Sequence, residues 1–422
     1  MRRVHQRRLA TAGVLGFIAA GCATAPEGPD RADPADGDDG GSPAAAPAAE
    51  RDTVREESIG CDPGELYWLQ EGCEPATSID LDEVWTNGPP PDGIPPIDEP
   101  VYEPIDHADD WLNDDSPVLV VEVGDDVRAY PLAILTWHEI VNTTVGGEPL
   151  AVTYCPLCNS ALVFERTIDG PDGREVLDFG TSGRLYQSNL LMYDRTHHDV
   201  WLQFSGESVV GDATLGTRLE RVPAWLLGYD TFVELHPDAQ VLSRDTGFVR
   251  DYGSNPYELY DTEEGRPFLF DGEADDRFPP MKRFVGVADD GDAVAVELDH
   301  LGDERVVEVT VGGRDVAVVW APGQASALDT ADLAAGREVG QTAVFDLALD
   351  DQRVELEPGD ADGVFVDAAT GTTFDLRGRA VSGPLAGRML SPVPHDDTLW
   401  FAWAAFHPET EVIPAVDDDA AR

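Results

Sequence analysis

Basic residues are scarce in this chain: 28 lysines and arginines stand against 82 aspartates and glutamates, and the formal net charge is −54. Lys282 is the single lysine. Such a charge repels phosphate groups, which excludes a general affinity for nucleic acid or for anionic lipid headgroups. The acids are dispersed along the whole sequence, a surface suited to high salt, where screening removes self-repulsion, so a halophilic source is expected. Long apolar runs are missing as well. None reaches the roughly 20 residues that span a bilayer, so an integral membrane protein is not expected. With only five cysteines, no second Cys-x-x-Cys pair exists to complete a four-ligand structural zinc site. A nucleophile-elbow pattern and a phosphate-loop lysine are also lacking.

What the N-terminus does hold is a charged start, Met1 to Arg8, followed by an apolar stretch from Leu9 to Ala20. This reads as a signal peptide, residues 1–21. Ala19-Ala20-Gly21-Cys22 resembles the lipobox of bacterial lipoproteins, with alanine at 19 where leucine is favoured. The resemblance implies a lipidated Cys22, a membrane anchor and an extracytoplasmic location; ordinary cleavage near Ala23-Thr24-Ala25 is the alternative. Arg7-Arg8 adds a hint of twin-arginine export. Residues 22–60, rich in Ala, Pro, Gly and Asp, cannot bury enough surface to fold and read as a disordered acidic tether.

Residues 61–108 are proline-rich but contain Tyr67, Trp68 and Trp85, and read as an irregular lead-in packed on the folded part. Cys61 and Cys73 flank a short loop there that an oxidising compartment is expected to close as a disulfide. Sustained structure starts near Asp109. Val118–Val123 reads as a strand, Gly124-Asp125-Asp126 as a turn and Val127–Tyr130 as the hairpin partner. Pro131–Val141 reads as a short helix, Gly146-Gly147 as a turn and Leu150–Tyr154 as a strand delivering the chain to Cys155.

An internal repeat follows. Shifted by 166 positions without a gap, residues 118–162 match residues 284–328 at 16 of 45 places, including Thr144-Val145-Gly146-Gly147 against Thr310-Val311-Gly312-Gly313. Weaker parallels link Asp194–Trp201 with Asp367–Phe374 and His236-Pro237 with His407-Pro408. The expected fold is α+β and predominantly β, a tandem duplication of a β-rich domain with short helices. Its first domain runs over 109–280, a degenerate second copy over 281–415, and an acidic tail over 416–422.

The duplicate serves as an internal control, since residues needed for the fold tend to persist in both halves while residues serving one site can be lost from the other. Cys155 faces Ala321, Cys158 faces Gln324, His138 faces Glu304 and Met192 faces Phe365. Asp194 and His236 keep counterparts in Asp367 and His407 and are expected to be structural. Two residues between cysteines let both thiolates face one ion or close one small ring. A soft ion, copper foremost, suits Cys155, Cys158, His138 and Met192. A redox-active pair, with Cys155 and Cys158 as the catalytic thiols, and an inert structural disulfide are the other readings, and all three stay open. The segment after Cys158 looks like a strand, which argues against a thioredoxin fold. His197-His198 reads as an exposed turn, and Ser182 and Arg184 as weak candidates for lining a pocket. Protein partners are not specified.

Several motifs together are familiar: Ala129-Tyr130-Pro131-Leu132, Trp137-His138-Glu139-Ile140-Val141-Asn142, Thr153-Tyr154-Cys155-Pro156-Leu157-Cys158, Leu191-Met192-Tyr193-Asp194-Arg195 and Leu242-Ser243-Arg244-Asp245-Thr246-Gly247. With Ser182-Gly183, Trp201 and Gly206, they resemble the prokaryotic family catalogued as domain of unknown function 3179, over about residues 92–290. The resemblance implies an envelope protein, often a lipoprotein, with His138, Cys155 and Cys158 as motif positions of no assigned role. The sequence departs at His197-His198, where small polar residues are usual, and at Asn159, where glycine is common.

Overall fold

The computed structural model describes residues 75–413 except 171, 172, 263, 271, 273 and 290, together with Trp68, Gln70 and Cys73. All of them belong to one unit, Ser58–Arg422. The expected signal peptide, Cys22, the expected tether, Cys61 and the expected acidic tail lie outside the described residues. Cys73 is disulfide-bonded. Its expected partner Cys61 is among the residues not described.

The fold is α+β and mostly β. A hairpin of β1 (Pro117–Val123) and β2 (Asp126–Pro131) opens it, turning at Gly124, whose φ of 62° suits glycine. Helix α1 (Leu132–His138) follows, with Pro131 as its N-cap rather than in its first turn. The helix is shorter than the sequence suggests. Glu139 takes φ 58° and ψ −30°, ending the helix and sending Ile140 directly into a strand, so Ile140 and Val141 are not helical. Strands β3 (Ile140–Val145) and β4 (Glu148–Cys155) form a second hairpin around Gly146-Gly147, both at positive φ. A Cβ on Gly146 would stand 2.5 Å from the Val123 carbonyl oxygen, so glycine is also required sterically.

Strand β5 (Ser160–Glu165) returns along β4. A second sheet is built from β6 (Phe179–Tyr186), β7 (Asn189–Asp194), β8 (Val200–Leu202) and β9 (Glu207–Val210). Then β10 (Ala224–Gly228) pairs antiparallel with β1, helix α2 (Tyr229–Leu235) follows, and β11 (Gln240–Leu242) pairs parallel with β2. The lead-in is less irregular than its prolines suggest: Val84–Trp85 pairs with β6 and Tyr102–Pro104 with β11.

After a long strap, residues 244–282, the order of elements recurs. Strands β12 (Arg283–Asp289) and β13 (Asp292–Glu297), helix α3 (Leu298–Glu304), and strands β14 (Val306–Val311) and β15 (Arg314–Ala321) each begin and end 166 positions after β1, β2, α1, β3 and β4. Next come β16 (Gln341–Asp346) on β15 and the short strands β17 (Phe365–Asp367), β18 (Thr373–Phe374) and β19 (Ala380–Ser382). Strand β20 (Asp396–Leu399) pairs antiparallel with β12, helix α4 (Trp400–Phe406) follows, and β21 (Glu411–Ile413) pairs parallel with β13.

The two halves share their cores. One apolar cluster joins Val118, Val120 and Phe232 to Ala317, Val319 and Phe345; another joins Phe164, Trp201 and the two cysteines to Phe284, Trp400 and Trp403. Burial of aromatic rings from both halves in one cluster is the main force holding them together, since each fully buried side chain of this size contributes about 1.5–3 kcal/mol.

Candidate redox site at Cys155 and Cys158

Alternation along β4 decides where the sulfurs point. Leu150, Val152 and Tyr154 enter one core, whereas Ala151 and Cys155 enter the cluster containing Trp201 and Trp403. Cys155 ends the strand, its carbonyl accepts from Cys158 N at 3.3 Å, and Asn159 at φ 54° swings the chain into β5, whose first residue, Ser160, pairs with Cys155. Asparagine is one of the few side chains that tolerate this left-handed conformation, which also explains why glycine fits the position.

The turn is clamped by two segments, β20 and the strap. Leu399 N and Thr398 Oγ1 on β20 donate to the Cys158 carbonyl at 3.1 and 2.9 Å, and Asn159 Nδ2 donates to the Asp397 carbonyl at 3.1 Å. From the strap, the Tyr260 hydroxyl donates to the Leu157 carbonyl at 2.9 Å.

Both cysteines are free, 2% and 0% exposed, and their sulfurs are 2.7 Å apart with Cys158 donating to Cys155. Burial raises the Cys155 thiol, but hydrogen bonds from the Cys158 thiol and from the backbone N–H groups of Cys158, Leu190 and Leu157 outweigh it and draw the value below that of an ordinary cysteine. Burial, and then the neighbouring Cys155, push Cys158 well above the ordinary value. Of the two sulfurs, Cys155 is thus the one more readily ionised and Cys158 the one that holds its proton.

His138 is fully buried, and both its nitrogens are engaged elsewhere. Nδ1 lies 2.6 Å from the Pro95 carbonyl, which can only accept, so Nδ1 carries the proton; Nε2, 2.7 Å from the Tyr252 hydroxyl, then accepts. Burial lowers the imidazole's pKa. Met192 lies in the same apolar cluster as both cysteines. Among the described residues, no three His, Cys, Asp or Glu side chains are grouped so as to hold a metal ion.

The other polar candidates serve the fold. Asp194 accepts from Trp201 Nε1 and from the backbone of Thr196, and Asp367 accepts from Thr370, closing equivalent turns. Ser182 donates to the Leu191 carbonyl, and Arg184 caps the Pro89 carbonyl. His197 pairs with Glu175 at 2.9 Å while His198 lies against Tyr193, so the two rings diverge; both are half-buried rather than exposed. His236 borders a surface cleft of about 580 Å³, and a second cleft of about 360 Å³ is bordered by Trp111 and Tyr252; neither is lined by the cysteines.

Glu139 was missed on sequence. It is 7% exposed, and no hydrogen bond or ion pair engages its carboxylate among the described residues. Its carbonyl accepts from Tyr154 N at 2.8 Å, which fixes it beside the end of β4. Burial first, and the charge on Cys155 second, push its pKa up to about 8. No sequence signal marked it, because no glycine announces the turn that separates α1 from β3.

The site is thus a buried dithiol at a strand-to-strand turn of a β-rich protein, the class of arrangement that either exchanges electrons or staples a core. The chain belongs to the family described as protein of unknown function DUF3179, which matches residues 91–410 and so extends through the second half, beyond the motifs of the first. No curated protein and no solved structure matches it.

Proposed function

We propose that the protein is a thiol–disulfide redox protein in which Cys155 and Cys158 cycle between dithiol and disulfide. The observation that carries the reading is the 2.7 Å separation of two free sulfurs with opposite protonation preferences. A covalent S–S distance of about 2.05 Å needs less than 1 Å of further approach. Because the sulfurs are buried, their partner is a low-molecular-weight disulfide or thiol rather than an extended protein segment.

The soft-metal reading, with copper on Cys155, Cys158, His138 and Met192, has less support. Thiolates about 2.3 Å from one tetrahedral ion stand roughly 3.8 Å apart, so the sulfurs would have to separate by about 1 Å. His138 would also have to leave Pro95 and Tyr252. Export and lipidation at Cys22 belong to the same proposal, supported by the signal-like N-terminus and by the disulfide at Cys73, a bond of oxidising compartments. We also propose that the two halves arose by duplication, supported by the common offset of their elements.

The test is titration of the reduced, folded protein with a dipyridyl disulfide. Release of two thiopyridones per chain, with Cys155 and Cys158 recovered as an intramolecular disulfide, is expected. Thiols that react only after unfolding would sink the proposal in favour of a structural role, and stoichiometric copper retained by a Cys155→Ser, Cys158→Ser variant would remove the metal alternative.

A further inference from the structure

Both sulfurs are buried, so a reagent can meet them only if something above them moves. A ring of polar contacts closes over the Cys158 side of the turn. The Cys158 sulfur lies 4.0 Å from the Ser188 carbonyl oxygen, in the tight turn between β6 and β7. The Ser188 hydroxyl donates to the Phe268 carbonyl on the strap, and the Phe268 N–H donates to the Tyr260 hydroxyl at 3.1 Å. That hydroxyl in turn donates to the Leu157 carbonyl, which brings the ring back to the residue before Cys158. The backbone of Phe268 thus bridges two elements that each touch the dithiol turn.

The members of this ring are held unequally. Tyr260 is fixed: its N–H donates to the Leu328 carbonyl at 3.0 Å, and the wholly buried carboxylate of the next residue, Asp261, meets Arg283 at 2.6 Å and Arg337 at 2.8 Å. Among the described residues, the Phe268 backbone is held by the two hydroxyls alone. Its ring is 53% exposed and adds little apolar hold. Leu269 follows at φ 57°, a left-handed conformation that costs a leucine free energy while the segment is closed. Beyond it the chain is anchored again, with the Phe270 ring 5.2 Å from that of Phe401.

We propose that Phe268 is the cover of the dithiol: its backbone lifts from Ser188 and Tyr260, turning at Leu269, and a small disulfide enters beneath it. The inference rests on the thiol–disulfide reading of the same site. Under the lifted cover the substrate's S–S bond breaks and the Cys155–Cys158 bond forms. The two electrons and two protons of the cysteine pair leave with the two released thiols. Ser188 and Tyr260 are positioning residues, setting how often the cover is open. A loop of this size recloses faster than a dissolved reagent reacts, so the rate follows the open population. Each hydroxyl bond is worth about a fivefold factor in that population.

The experiment follows thiopyridone release from the full reduced chain and a dipyridyl disulfide at one fixed pH. Ser188→Ala and Tyr260→Phe should each react about fivefold faster than the parent, and the double variant faster than either. Circular dichroism checks folding, and Ser188→Ala decides alone if Tyr260→Phe does not fold. Asn255→Ala, which removes two strap hydrogen bonds outside the ring, should leave the rate within about twofold of the parent's. Well below the unfolding midpoint, all rates should be nearly independent of urea, because a small opening exposes little surface. Parent-like rates in both latch variants, or an equal acceleration by Asn255→Ala, overturn the cover while leaving the redox reading intact. A parent rate with the urea dependence of global unfolding overturns both.

Discussion

Glu139 makes the fold itself sensitive to pH, with stability falling as pH rises. Its folded pKa, about 8, lies above the reference value of 4.5, so the unfolded chain ionises first. The protonated side chain is compatible with burial below pH 4.5. Stability is lost as pH rises from there through about 8, at about 1.4 kcal/mol per pH unit, and the loss then levels off near 5 kcal/mol. Glu139→Gln keeps the shape and remains neutral, so it removes the whole pH-dependent loss. Urea unfolding of both proteins, reduced, at pH 5 and pH 9 isolates this difference from every other titrating group. The glutamine variant should gain on the parent by several kcal/mol between the two conditions. A stability difference independent of pH would refute the reasoning, because it would mean that Glu139 ionises in the folded protein as readily as in water.

Three further outcomes follow from the geometry. Cys158→Ser should trap a mixed disulfide on Cys155 with the dipyridyl reagent, seen by mass spectrometry, whereas Cys155→Ser should react far more slowly, since the remaining thiol is held protonated; equal reactivity would invert the assignment. Thr398→Val removes one of two donors to the Cys158 carbonyl and should cost about 1 kcal/mol in denaturant unfolding. Gly146→Ala, which brings a Cβ against Val123 at positive φ, should cost about 1–3 kcal/mol, and a neutral effect would show that the turn can shift.

Much of the scaffold was legible in the sequence because its signals are local. Turn glycines at 124, 146 and 147 and period-two alternation along β4 announce hairpins directly, and the same spacing at 312 and 313 repeats them. The helix end was misread because Ile140 and Val141 continue an apolar pattern; only the left-handed turn at Glu139 separates helix from strand, and no glycine marks it. The cysteine pair was visible from its spacing, and its absence from the second half pointed to a site in the first. What surrounds the pair was not. His138, like the cysteines, has no counterpart of its kind in the second half, yet its nitrogens are used by Pro95 and Tyr252, partners 43 and 114 positions away. The clamps from Thr398 and Tyr260 are equally non-local, and no pattern within a window of residues encodes them.

The hold that β20 has on the Cys158 carbonyl makes the two halves unequal but inseparable. A segment that carries no cysteine nevertheless forms one wall of the chamber in which the cysteines meet, through Leu399, Thr398 and the backbone of Asp397. Shortening the chain at the strap would therefore not release a smaller working protein. It would leave the dithiol turn without its backing strand and would open Phe164 and Trp201 to water on the side now covered by Trp400 and Trp403. The half without the chemistry supplies its wall.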